Sequence, residues 1–368
     1  MDEECRYFIG FSVFPGIGPV RFQLLLSYFG SAAAAWHATS ESLASIHLPS
    51  SLCASFIAFR KNFSIDAYIK QLEKEHIIPV PLTHPHYPKL LHEISDAPFV
   101  LYVKGKTTTP IDMEKTIAIV GTRRATSYGR DVTKTLVRDF VAAGCTIVSG
   151  MAYGIDAVAH ETAIEREGKT IAVLGCGADV CAPAENRHIY DAIATGGYGA
   201  IVSEMPLGLR PNKGLFPARN RIISGLSRAV IVVEGAEDSG ALITARYAAE
   251  QGRDVFAVPG AITSPMSRAP AKLIRDGAQM IESAGDVLSS LGLANPQRSD
   301  NNKKTYVVAE DSQEQKILAV LSQESLHIDA LIEATGLTAR EVTASITVLE
   351  LEGLVKDIGG NVYAINHR

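Results

Sequence analysis

Six short apolar runs, rich in β-branched side chains, decide what this chain can fold into. They read T-I-A-I-V (116–120), T-I-V-S (146–149), T-I-A-V-L (170–174), A-I-V-S (200–203), A-V-I-V-V (229–233) and V-F-A-V (255–258). None alternates apolar with polar residues, so neither face of such a strand can meet water. Each run is followed by glycine, proline or a polar turn, and most then by an amphipathic helical stretch. Strands buried on both faces and linked through helices form a parallel sheet between two helical layers. Six units predict an α/β domain, a doubly wound Rossmann-like parallel sheet.

The flanks read differently. Residues 1–80 form short helices and contain F-P-G-I-G-P (14–19) ahead of an apolar helix over 20–29. That turn fits a SAM or helix-hairpin-helix-like element, whose amides can hold a phosphate, or a plain turn in a small helical bundle. His84 and His86, in the proline-bearing connection that follows, have no acidic or cysteine partner at ligand spacing and read as loop residues. After a polar linker, N-P-Q-R-S-D-N-N-K-K (295–304), come helices over 314–321, 328–335 and 339–350, then two strands around Gly359-Gly360. Three helices and a β-hairpin predict a winged helix-turn-helix. The expected organisation is a helical domain (1–80), the Rossmann-like domain (81–294), a linker (295–310) and the winged helix (311–368).

Composition removes several classes. Of 368 residues, 46% are apolar and 20% charged, which excludes a wholly disordered chain. No apolar run reaches the ~18–20 residues of a membrane span. The N-terminus M-D-E-E-C-R-Y-F lacks an export pattern, and the five cysteines show no paired spacing, so a cytoplasmic protein with reduced thiols is expected. A net charge of −5 argues against nucleic acid, but the basic residues cluster. Arg210, Lys213, Arg219, Arg221 and Arg228 face one acid, Glu204, between residues 203 and 228, and 121–130 adds Arg123, Arg124 and Arg130. Screening limits a field to roughly 10 Å, so a local basic surface outweighs the global sum. Residues 301–368 carry 6 basic and 10 acidic side chains, which predicts a winged helix that contacts protein, its own partner subunit or another component, or covers the central domain, instead of binding duplex DNA.

Glycine and polar residues collect where the strands end: G-T-R-R-A-T-S-Y-G (121–129), S-G-M-A-Y-G-I-D (149–156), G-C-G-A-D (175–179) and the long loop after residue 203. Ligands of doubly wound sheets bind beyond these carboxyl ends. The first loop lacks G-x-G-x-x-G and the chain lacks G-x-x-x-x-G-K-[ST], which excludes the usual dinucleotide and P-loop sites. A nucleic-acid strand needs cations in series and a stacking ring. Arg123, Lys213, Arg219 and Arg221 supply cations, with Phe216 and Asn220 between them; a Phe flanked by Leu and Pro also suits a core. Asp156 and His160, one helical turn apart, read as a helix cap and a loop contact before they read as an acid–base pair. Tyr128 reads as packing, and Cys176 and Cys181 lack zinc spacing. No catalytic, metal or cofactor site is expected.

S-G-M-A-Y-G-I-D-A-V-A-H, S-E-M-P-L-G, F-P-A-R-N-R-I-I-S-G-L-S and S-G-A-L-I-T-A-R-Y-A-A-E-Q-G-R-D-V-F-A-V-P-G together resemble the DprA/Smf family of bacterial DNA-processing proteins. The likeness spans the whole architecture and is tightest over 115–285. It implies a single-stranded DNA-binding recombination mediator that protects incoming DNA and loads RecA recombinase in natural transformation. The implied partners are single-stranded DNA, RecA and a second copy in a homodimer, with no membrane. The strand would meet Gly121, Thr122 and Arg123 of the first loop, Ser149 and Gly150 of the second, and Lys213, Phe216, Arg219, Asn220 and Arg221 of the fourth. Where the family pattern has Gly-x-Asn before L-I, this chain has Ala269 and Ala271, so no ligand role is carried onto that loop. Two alternatives stand: a nucleoside-monophosphate hydrolase of the Rossmann-like group named for lysine decarboxylases, whose P-G-G-x-G-T-x-x-E is missing here, and a winged-helix regulator of duplex DNA.

Overall fold

The computed structural model describes residues 3–105, 115–212, 214–293, 313–351 and 353–365. They fall into two compact units, within Met1–Ala294 and Asn295–Arg368.

The first unit opens with six helices: α1 (Glu3–Val13), α2 (Pro19–Phe29), α3 (Ala32–His37), α4 (Ser40–Ala44), α5 (Ser50–Asn62) and α6 (Ile65–Lys74). A nine-stranded sheet follows. Its strands are β1 (Ile77–Pro81), β2 (Val100–Lys104), β3 (Thr116–Val120), β4 (Thr146–Ser149), β5 (Thr170–Leu174), β6 (Gly199–Ser203), β7 (Ala229–Val232), β8 (Asp254–Ala257) and β9 (Gln279–Met280). Between them lie α7 (Lys89–His92), α8 (Ser127–Ala142), α9 (Ile155–Glu165), α10 (Arg187–Gly196), α11 (Leu215–Gly225), α12 (Ala241–Glu250) and α13 (Arg268–Arg275); α14 (Ala284–Ser290) closes the unit. The strand order is β1-β2-β6-β5-β4-β3-β7-β8-β9. Strands β3 to β9 are parallel; β1 and β2 form an antiparallel edge through the β2–β6 pair. The six apolar runs are six of these strands, to within a residue at each end. Strands β3 to β7 are buried along their whole length, as runs without alternation require. The sheet is laid outward from β3 in one direction, then restarted beside β3 with β7, so the switch point lies between β3 and β7.

The helical segment is not a separate body. Its ring cluster, Phe8, Phe11, Phe22, Trp36 and Phe56, belongs to one buried core with Tyr102, Leu174 and Ile201 of the sheet. Phe22 stacks on Phe99 at 4.0 Å between ring centroids. Ser12 Oγ and Tyr102 Oη lie 2.6 Å apart, and the Leu207 amide donates to Tyr68 Oη. The boundary expected at residue 80 falls inside β1, which pairs with β2. The G-I-G turn joins α1 to α2, with Pro19 at the first position of the second helix.

Arg221 ties α11 to its surroundings. Its Nε donates to Asp96 at 3.0 Å and its Nη2 to Glu204 at 2.6 Å, and the guanidinium is only 6% exposed. Burial raises the Glu204 carboxyl above its ordinary value, and Arg221 opposes that shift. Removing one partner of a buried pair strands the other. Arg221→Ala is therefore expected to lower unfolding free energy by about 3–5 kcal/mol, read by urea melts. A loss no larger than that of an exposed arginine would mean the pair is not structural.

The second unit holds α15 (Gln313–Leu321), β10 (Leu326–His327), α16 (Ile328–Thr335), α17 (Ala339–Leu351), β11 (Val355–Asp357) and β12 (Val362–Ile365). Its sheet order is β10-β12-β11, and Ile317, Leu331, Val342, Ile346 and Leu349 fill its core. This is the expected winged helix-turn-helix, with the small strand β10 added. The linker expected over 295–310 lies outside the described residues.

Candidate nucleic-acid interface

The carboxyl ends of β3, β4, β5 and β6 carry the residues that the sequence singled out. Around the switch point the protein fills its own crevice. Glu234, just after β7 and 4% exposed, accepts from the Thr126 amide at 3.0 Å and from Thr126 Oγ1 at 2.6 Å. Its carbonyl accepts from the Thr122 amide at 2.8 Å. Thr126 caps α8, so a carboxyl group sits at the helix start where a Rossmann fold would bind a phosphate. A Cβ on Gly129 would fall 2.1 Å from Glu234 Oε2; glycine is there to admit this side chain. Like charges exclude a cofactor phosphate from this point.

The loop after β4 is held from within. Ser149 is fully buried and donates to the Ile119 carbonyl at 2.6 Å. Asp156, at the start of α9, accepts from the amides of Gly150 at 3.1 Å and Ala152 at 3.4 Å. Desolvation pushes the Asp156 carboxyl up, and Arg219 with the loop amides opposes that shift. His160 receives the Met151 amide at Nε2 (3.4 Å) and meets Thr170 Oγ1 at Nδ1 (2.7 Å). The loop contact expected of His160 is present, but Asp156 is not a helix cap: α9 starts from Gly154 without a side-chain cap, and the carboxylate turns back to the amides of the loop after β4.

Arg219 reaches into the same place from α11. It donates to the Gly150 carbonyl at 2.5 Å and to the Val173 carbonyl, and is only 6% exposed. A Cβ on Gly150 would lie 2.6 Å from this guanidinium, so the glycine makes room for arginine and not for phosphate. Four of the expected strand contacts are thereby corrected. Ser149 and Gly150 give their polar groups to the interior; Arg219 and Arg221 are buried cations with internal partners. The reason is helical geometry: residues two apart point about 200° from each other, so Arg219 and Arg221 cannot both face one strand.

What remains open is compact. Arg123 is exposed and its guanidinium carbon lies 5.4 Å from the centroid of the half-buried Phe216 ring. Phe216 lies over Gly175 at the end of β5, where a Cβ would come within 3.3 Å of the ring. Asn220, one turn after Phe216, receives Arg219 Nε at 3.2 Å and donates to the Gly240 carbonyl at 3.4 Å. Gly121 and Thr122 fix the Arg123 loop: Gly121 is pressed against Ile155, and the Thr122 carbonyl accepts from the Ile155 amide at 3.2 Å. Lys213 lies outside the described residues.

Residues 79–292 match the model of DNA recombination-mediator protein A, and 303–361 match the DprA winged helix domain. Protein Smf of Synechocystis sp. is 34% identical over 98% of this chain and 99% of its own. The chain belongs to the DNA recombination-mediator protein A family. Among solved members of the family, the DNA processing protein A of Streptococcus pneumoniae superposes with a TM-score of 0.66 at 35% identity, over 78% of this chain and 98% of that one. The protein from Helicobacter pylori, whose structure concerns its single-stranded DNA binding mode, gives a TM-score of 0.51 at 32% identity, over 59% and 97%.

Within this family member, sequence reasoning missed the role of Glu234. The only available signal was an acidic residue directly after a buried strand at the switch point. The segment read as a loop is a short turn (Pro265–Ser267) running into α13, which holds Ala269 and Ala271; Ala269 is buried, its amide bonded to the Gly235 carbonyl at 2.9 Å.

The buried imidazole gives a pH test. Desolvation and the Arg219 charge push the His160 pKa from 6.5 down to about 3. The folded ring stays neutral while the unfolded one takes a proton, so stability is lost as pH falls below 6.5. At pH 5 the loss from this group is roughly 2 kcal/mol. His160→Gln should flatten the decline in urea midpoint between pH 7 and pH 5; an unchanged decline would place the titrating group elsewhere.

Proposed function

We propose that this protein is a single-stranded DNA-binding recombination mediator, working in the cytoplasm as a homodimer. It covers and protects an incoming strand in natural transformation and passes it to RecA recombinase, with no chemistry of its own. One observation carries the reading: an exposed guanidinium placed over a partly open aromatic ring, at the carboxyl edge of a sheet whose mononucleotide crevice is closed by Glu234. A base stacks on a ring regardless of its identity, and a cation beside that ring neutralises the adjoining phosphate. That pairing suits a strand without sequence preference. Single-strand binding in the Helicobacter pylori relative supports it.

The strand surface is assigned to Arg123, Phe216, Asn220 and Lys213, with Gly121 and Thr122 shaping the loop beneath Arg123. Binding of oligo-dT tests it. Phe216→Ala should cost about 1–3 kcal/mol of affinity, and Arg123→Ala should reduce the salt dependence by about one counterion. Full affinity in both variants, with folding intact, would put the strand elsewhere.

Absence of chemistry is tested separately. Nucleoside monophosphates should be recovered intact after long incubation with the protein. Release of base or ribose phosphate by the parent chain, lost in His160→Gln, would replace the mediator reading with a hydrolase.

A further inference from the structure

The carboxyl edge of the sheet carries a second aromatic ring that lies outside the apolar packing. Tyr153, in the loop between β4 and α9, is 41% exposed. Among the described residues it belongs to none of the three apolar cores of its unit. Its hydroxyl donates to Glu185 Oε2 at 2.5 Å, in a short helical turn (Ala184–Asn186) that leads into α10. Both side chains of that bond are exposed, where water competes for it and little stability is gained.

The loop nevertheless holds this ring in a fixed place. Met151 is fully buried yet left-handed, with φ at 59°, a backbone state unfavourable to any residue with a side chain. Hydrogen bonds from all sides keep the turn there. His160 receives the Met151 amide and Asp156 the Ala152 amide, while Asn186 Nδ2 donates to the Met151 carbonyl at 2.8 Å and to the Ala152 carbonyl at 3.4 Å. The turn carries the chain from a buried residue to the exposed ring within two positions. Asn186, which fixes the loop, directly follows Glu185, which fixes the hydroxyl. Held at its backbone and at its tip, the ring loses little freedom when a partner stacks on it.

Its surroundings identify that partner. In the sheet, β4 lies between β5 and β3, hence between Gly175, which Phe216 covers, and the Arg123 loop. A Cβ on Gly154 would come 2.7 Å from the Arg123 carbonyl carbon. Tyr153, one residue earlier, therefore starts within about 8 Å of the Arg123 backbone. Helix α11, which carries Phe216, packs on one face of the sheet, and α9 packs on the other. Arg123 spans the two sides, its backbone beside Gly154 and its guanidinium over Phe216. A strand that rests one base on Phe216 and crosses the edge past Arg123 meets Tyr153 next. With its O–H engaged by Glu185, the residue offers that strand a ring face.

We infer that Tyr153 is a second stacking platform for the same single strand, taking a base that neighbours the one on Phe216, with Glu185 and Asn186 as its positioning residues. The inference rests on the single-strand reading.

Photo-cross-linking of the full-length chain to a single-stranded oligonucleotide that carries iodouracil in place of thymine tests it. Peptide mass spectrometry should find cross-links at both Phe216 and Tyr153. With oligo-dT, Tyr153→Leu should weaken binding about ten-fold and leave the salt dependence unchanged, since no cation is lost. Tyr153→Phe keeps the ring and should stay within about three-fold of the parent. Cross-links at Phe216 alone, or at Phe216 and Tyr128, overturn the inference and leave the strand reading standing. Full affinity in Tyr153→Leu does the same, as does a Tyr153→Phe chain as weak as Tyr153→Leu. Cross-links at neither Phe216 nor Tyr153 would remove the strand reading itself, and the inference with it.

Discussion

The buried guanidinium of Arg219 is the contact on which the candidate interface depends. It donates to the carbonyls of Gly150 and Val173 beside the Asp156 carboxyl, and so joins the ends of β4 and β5 to the first turns of α11. Charge inside a protein is costly unless paired and hydrogen-bonded, and each part of this cluster supplies what another lacks. Strand ends present carbonyls that need donors; Arg219 provides them. The loop amides need an acceptor, and Asp156 provides it. Phe216 lies one turn before Arg219 on α11, so the bond that anchors the helix also sets the ring over Gly175. Arg221, on the other side, fixes the same helix to Asp96 and Glu204. Two arginines that look like phosphate ligands in the sequence instead orient the residues that remain outside.

This division explains how much could be read in advance. Uninterrupted β-branched runs have no soluble alternative to a doubly covered strand, so the parallel sheet was legible. Strand β1 was not, because I-I-P-V-P carries two prolines; an edge strand tolerates them where a central one cannot. Strand β9 has two residues and leaves no periodic signal. Short helices in the N-terminal segment were legible, but not that their core would be shared with Tyr102 and Ile201. Linear sequence shows charge and not direction. R-N-R reads as a basic cluster in one dimension and as two inward anchors flanking a half-buried Asn220 in three.

Glycines at the strand ends carry the same lesson about their meaning. Gly129 and Gly150 have the look of phosphate-approach residues, yet the space left by the missing side chain holds Glu234 in one case and Arg219 in the other. Gly175 differs, since the atom above it belongs to the ring of Phe216, which remains partly open to solvent. A glycine-rich loop therefore marks close approach without saying by what. Only the occupant distinguishes a ligand site from internal packing.

The net charge of −5 then ceases to conflict with a polyanion partner. Arg219 and Arg221 have their partners inside the fold, whereas Arg123, Arg124, Arg130 and Arg210 stay exposed, so the local surface is more basic than the global sum. A strand held at such a surface would draw its affinity both from counterion release at the cations and from stacking on the ring. Weak single contacts gain most when several are engaged on one long strand, because the second binding event is then intramolecular. Under the proposed function, that gain is a physical reason for such a chain to work in more than one copy.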